Sequence, residues 1–120
     1  MSFEASVRYA GEVAIIDLTG RIVLNDGSAA MREAIAKLRE TGASKILLNL
    51  EAVSFIDSSG LGELASAYAG MNKAGGQLKL MNLPPRIVDL LRITKLNTVL
   101  VAFPSEAAAL QSFNNGAVSA

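Results

Sequence analysis

Short apolar runs without alternation, separated by segments of helical period, constrain this chain more than any other feature. Ile46-Leu47-Leu48-Asn49-Leu50 and Val99-Leu100-Val101-Ala102 are apolar on both faces, and Leu78-Lys79-Leu80-Met81 is a shorter version of the same pattern. Strands covered on both sides belong inside a parallel sheet. Between these runs, Met31, Ala34, Ile35 and Leu38 recur at i, i+3, i+4 and i+7. Leu61, Leu64, Ala65 and Tyr68 repeat that spacing, as do Ile87, Leu90, Leu91 and Thr94, and each set makes one face of an amphipathic helix.

The N-terminal stretch has a different period. Phe3, Ala5, Val7 and Tyr9 alternate with Glu4, Ser6 and Arg8, which predicts a strand with one wet face. Ala10-Gly11 then allows a tight turn into a more buried strand, Val13 to Leu18, so the two form an antiparallel hairpin. Ser28 is the expected N-cap of the first helix, Glu33 and Lys37 an i,i+4 pair on its wet side, and Gly42 its stop. Pro84-Pro85 opens the third helix and Pro104 a fourth carrying Ala107, Ala108 and Leu110. After Asn114-Asn115-Gly116 the tail, 114–120, is expected to fray. The order β-β-α-β-α-β-α-β-α follows: one α/β domain over 1–120, core about 3–113, with a four- to five-stranded mixed, mostly parallel sheet under packed helices.

Composition excludes several functions. Eleven Lys plus Arg against eleven Asp plus Glu leave no basic surplus for nucleic acid or an anionic membrane. With no Cys and no His, a disulfide framework, a zinc finger, a thiolate nucleophile and the usual serine-triad base are all missing. The N-terminus has no basic run followed by an apolar stretch, and no apolar segment reaches about 18 residues. A soluble cytoplasmic protein without cofactor is the expectation.

The segment Ser54-Phe55-Ile56-Asp57-Ser58-Ser59-Gly60-Leu61-Gly62 follows the strand at 46–50, with a short loop expected before a helix beginning near Ser58. In open α/β sheets ligands and chemistry collect at the carboxyl ends of parallel strands. A hydroxyl there sits near free backbone N–H groups and the positive end of a helix dipole. Gly60 and Gly62 leave space beside Ser58 and Ser59 for the approach of another protein, at up to about 1 kcal/mol each relative to alanine. From the residues alone two readings stay open: Asp57, Ser58 and Ser59 cap a helix, or a serine accepts phosphate. A nucleotide loop does not fit, because no Gly-x-x-x-x-Gly-Lys is present and no Lys or Arg lies between Lys45 and Lys73.

The stretch Leu-Leu-Asn-Leu-Glu-Ala-Val-Ser-Phe-Ile-Asp-Ser-Ser-Gly-Leu-Gly, residues 47–62, resembles the signature of the STAS domain family, and within it the bacterial anti-sigma-factor antagonists. The resemblance continues through Gly75-Gly76-Gln77-Leu78, Pro84-Pro85-Arg86-Ile87 and Leu100-Val101-Ala102-Phe103, covering about residues 10 to 110. It implies a partner switch without enzymatic activity of its own. The unmodified protein binds an anti-sigma factor with serine kinase activity and frees the sigma factor. Phosphorylation of Ser58 releases it, and a serine phosphatase resets it. On this reading Asp57 caps the helix and aligns Ser58, Ser59 is a contact or a less favoured acceptor, Leu61 is half core and half interface, and Gly60 and Gly62 complete the partner surface. The alternative within the family is a scaffold or subunit of a sensory or transport complex.

Three further features stay open. Relatives often carry an acidic pair after the position of Gly20, whereas here Arg21 and three apolar residues follow; the segment 20–28 is a partly buried connection or one side of the partner surface. Met71, Met81 and the turn Asn72-Lys73-Ala74-Gly75-Gly76 are core filler and a helix stop, or an adaptable contact. Arg86 and Arg92 are solvated, or hold phosphate.

Overall fold

The structure is a computed structural model and describes residues 3–118, with side chains to Asn114. Strands β1 (Glu4–Ala10) and β2 (Val13–Ile22) form the predicted hairpin around a two-residue turn, where Gly11 takes φ 60°. Helix α1 (Gly27–Glu40), β3 (Lys45–Ile56), α2 (Ser58–Lys73), β4 (Gln77–Met81), α3 (Pro85–Ile93), a 3-10 turn at Leu96–Thr98, β5 (Ala102–Phe103) and α4 (Glu106–Val118) follow. The five-stranded sheet has the order β1-β2-β3-β4-β5, with only β1–β2 antiparallel. The predicted order of elements is the observed one.

Alternate residues of the central strands divide the core into two layers. Ala14, Ile16 and Leu18 of β2 and Ile46, Leu48 and Leu50 of β3 face the side covered by α1, α2 and α3. Val13, Ile15 and Leu47 face the other side, where Ala109 and Phe113 of α4 cover them together with Met81. Burial on both faces is why these runs do not alternate in sequence. Arg8 ties β1 to this second layer, its guanidinium donating to Asp17 at 2.7 Å and to Glu106 of α4 at 2.8 Å; these bonds hold both carboxyls below their ordinary range.

Several expectations need correction. No loop follows residue 50: β3 runs to Ile56, because residues 52–56 pair with Thr19–Ile22 of β2 through register shifts between Asp17 and Thr19 and between Gly20 and Arg21. The strand expected at 99–102 is shorter and later: after the 3-10 turn, entered through Lys95 at φ 66°, residues 99–101 lie outside any strand and β5 is only Ala102–Phe103. Asp26, not Ser28, is the N-cap of α1, and Ser28 is buried within its first turn. Among the described residues Glu33 and Lys37 form no ion pair; Arg32 instead joins α1 to α2 through Glu63 at 2.9 Å. On the helix-covered face of β1, Phe3 and Ala5 pack on the core, whereas Val7 and Tyr9 are exposed. Ser105 caps α4 through a bond from Ala108 N. The expected frayed tail overlaps α4, whose backbone is helical as far as Val118; positions 119 and 120 lie outside the described residues.

Candidate functional site

The junction between β3 and α2 is a single residue. Asp57 has extended backbone (φ −102°, ψ −173°) and its N–H donates to the Ile22 carbonyl at 3.2 Å, so the pairing of β2 and β3 ends on the N-cap of α2. Its carboxylate accepts three bonds. One oxygen takes Gly60 N–H at 3.0 Å and the Ser59 hydroxyl at 2.6 Å; the other takes Leu24 N–H at 3.0 Å. The Gly60 bond is the predicted cap. The Leu24 bond was not legible in the sequence, since a backbone donor 33 residues away leaves no side-chain signal. It pins the β2–α1 connection beside the start of α2.

These donors hold the Asp57 carboxyl down to about 2, against an ordinary 3.8; the Ser59 hydroxyl has the largest effect, followed by the Gly60 and Leu24 amides. A carboxylate with a depressed folded pKa stabilises the fold above its unfolded pKa, and that contribution is lost as pH falls through the folded value. Acid melts of wild type and Asp57→Asn are therefore expected to differ most above pH 4 and to converge between pH 4 and 2. Parallel curves across that range would remove the charge-dependent role of Asp57.

The two serines are placed differently. Ser58 is the first residue of α2, exposed, and its hydroxyl bonds to no other described residue. Ser59 is half-buried with its hydroxyl donated to Asp57. A free hydroxyl at the N-terminus of a 16-residue helix lies where the dipole and unpaired N–H groups favour an added negative charge.

The following residues depart from the sequence expectation. Gly60 is buried, and a Cβ there would fall 2.6 Å from the Ile22 carbonyl oxygen and 2.6 Å from Ile56 Cγ1, so the close approach it permits is to β2 and β3 of its own chain. Leu61 is 8% exposed and packs in the core instead of being shared with a surface. Gly62 is exposed, and a Cβ there meets nothing within 4 Å. The outward residues of the junction are therefore Ser58 and Gly62, with Leu24, 64% exposed, tied to Asp57 through its amide; Phe55, 38% exposed, lies two residues before Asp57 on β3. Of the residues named from sequence, Asp57, Ser59 and Gly60 form the scaffold and Ser58 its accessible point. Met71 and Met81 are buried core, and Arg92 pairs with Asp89 at 2.6 Å.

Among the described residues no cluster of carboxylates could hold a metal ion, and no helix is long and apolar enough to cross a membrane. A family model described as the STAS domain matches residues 4–109. This chain belongs to the STAS domain family. An anti-sigma-B factor antagonist of Bacillus subtilis is 39% identical to this STAS domain over 70 residues, which are 58% of the chain and 63% of that relative, so the chain spans less than two thirds of it. An anti-sigma F factor antagonist of Paenibacillus polymyxa is 24% identical over 110 residues, 92% of the chain and 94% of the relative. The crystal structure of an anti-sigma factor antagonist from Mycobacterium paratuberculosis superposes with a TM-score of 0.84 at 22% identity, covering 92% of this chain and 93% of that one. That likeness bears on the fold, a five-stranded mixed sheet with helices packed on it.

Proposed function

We propose that this STAS domain is an anti-sigma factor antagonist, a binding regulator and not an enzyme, switched by phosphorylation of Ser58. The observation that carries the choice of residue is the contrast at the start of α2: the Ser58 hydroxyl is exposed and unbonded, while that of Ser59 is held by Asp57 at 2.6 Å. The unmodified junction presents a small neutral surface to an anti-sigma factor that is also a serine kinase. A phosphoryl group adds about −1.5 to −2 charge there, which the helix N-terminus tolerates and a partner fitted to the bare hydroxyl does not. A serine phosphatase restores the binding form. The antagonist names of the relatives over this same region support the reading.

The test is titration of an anti-sigma factor kinase with wild type, Ser58→Ala and Ser58→Asp, together with phosphopeptide mapping after incubation with ATP. Phosphate is expected on Ser58. Ser58→Ala should bind as wild type does, and Ser58→Asp more weakly by about 30- to 150-fold, the equivalent of 2–3 kcal/mol. Equal affinity for all three, or phosphate outside residues 58 and 59, would overturn the switch.

A further inference from the structure

The sheet extends past its helical cover next to Ser58. Pairing between β3 and β4 stops at Asn49 and Met81, whereas β2 and β3 continue together to Ile22 and Ile56. The α4 layer is built on Val13, Ile15, Leu47 and Met81, toward the other end of the strands. The far face of the two-stranded arm is therefore bare. There the guanidinium of Arg21 lies over the Phe55 ring, 5.1 Å from its centroid.

Arg21 forms no ion pair among the described residues, whereas Arg8, Arg32 and Arg92 each have a carboxylate partner. Stacking occupies the face of a guanidinium and leaves its in-plane N–H donors free in the fork that matches a carboxylate. The ring also limits the orientations of the side chain, so less freedom is lost when a ligand binds. The backbone ties this platform to the junction. Residue 22 accepts the Asp57 N–H, and Phe55 precedes Asp57 by two residues.

We infer that the Arg21–Phe55 pair is the specificity contact of this antagonist, taking an aspartate or glutamate side chain on the anti-sigma factor. The inference rests on the proposed partner and names the chemistry of its contact. The warrant is charge complementarity: an exposed cation held against a ring, with no ion-pair partner among the described residues, on the strand pair whose end carries the Ser58 junction. Buried or rim carboxylates that meet such a cation contribute chiefly to partner choice.

The test is titration of the same anti-sigma factor kinase with wild type, Arg21→Glu, Arg21→Lys, Phe55→Leu and Ser58→Asp, each first shown to melt as wild type does. Arg21→Glu is expected to lose about 10- to 100-fold in affinity, Arg21→Lys and Phe55→Leu about 3- to 10-fold, and a Glu→Arg or Asp→Arg change on the anti-sigma factor to restore Arg21→Glu. Raising salt should weaken wild type more than Arg21→Glu. Arg21→Glu binding within twofold of wild type while Ser58→Asp is still lost would overturn this contact and leave the switch standing. If both bind as wild type does, or wild type itself does not bind, the proposed function fails and the contact with it. Unchanged binding with faster removal of phosphate from Ser58 would assign Arg21 to the phosphoryl group in cis, which also overturns the inference.

Discussion

Gly60→Ala is expected to destabilise the domain by about 3 kcal/mol, a drop in midpoint on the order of 10 °C, without touching Ser58. The new methyl group would sit 2.6 Å from the Ile22 carbonyl oxygen, 2.6 Å from Ile56 Cγ1 and 2.8 Å from Ile22 Cγ2. The carbonyl cannot simply retreat, because it accepts the Asp57 N–H that closes the β2–β3 pairing. Relief has to come from moving α2 away from the sheet, which also strains the Asp57 cap. Gly62→Ala is the control of opposite sign: its methyl meets nothing within 4 Å, and alanine gains up to about 1 kcal/mol over glycine inside a helix. Thermal and urea melts of the two variants decide the matter. A Gly60→Ala midpoint within about 2 °C of wild type would mean that the junction is not packed this tightly. Gly62→Ala, being folded, then shows in a binding titration whether the open space beside Ser58 is used by the partner.

The different fates of these two glycines mark the limit of what the chain reveals unfolded. Both sit in the first turn of a helix after a strand, and their spacing alone makes them look like one surface. The helical period decides otherwise, since two residues turn the chain by about 200° around the axis: Gly60 falls on the helix face that carries Leu61 and Leu64 into the core, Gly62 on the outer face. The order of elements was legible because hydropathy alternates twofold along β1, although Val7 and Tyr9 prove exposed, and burial leaves a period near 3.6 in α1, α2 and α3. The extent of β3 was not, since Glu51, Ala52, Ser54 and Phe55 are exposed and break the apolar run, although the backbone still pairs with β2. Backbone pairing of exposed residues has no side-chain signature. The same is true of the Leu24 amide on Asp57, and of the stack of Arg21 on Phe55, which depends on the register between two strands. Asp57, Ser58 and Ser59 could be found from residue type and position, but which serine is free required the 2.6 Å bond that occupies the other.

Phe113→Ala is expected to cost about 3–5 kcal/mol, the largest effect of a single truncation in the second layer. Phe113 is fully buried and lies with Ala109 over Val13, Ile15, Leu47 and Met81, so removing the ring opens a cavity between α4 and the sheet. The loss extends to a cation. Lys79 Nζ lies 4.6 Å from the Phe113 centroid and 5.7 Å from that of Phe103 while donating to Ser112 at 2.9 Å, and desolvation already lowers its pKa. Without Phe113 this half-buried ammonium keeps one ring and a hydroxyl. The ion pair from Arg8 to Glu106, exposed on both sides, adds no more than about 1 kcal/mol to hold α4 in place. Protease cleavage within α4 should therefore rise together with the fall in midpoint. The junction at Ser58, by contrast, is built on first-layer residues such as Ile22, Ile56 and Leu61, none of which belongs to the cluster around Phe113. At a temperature where the variant is folded, its affinity for an anti-sigma factor should match wild type within about twofold, since well-separated sites without shared partners add independently. A stability loss below about 1 kcal/mol would show α4 to be loosely held. A loss of binding in the folded variant would show that the switch depends on both faces of the sheet, so that α4 and Ser58 form one cooperative unit and not two layers sharing strands.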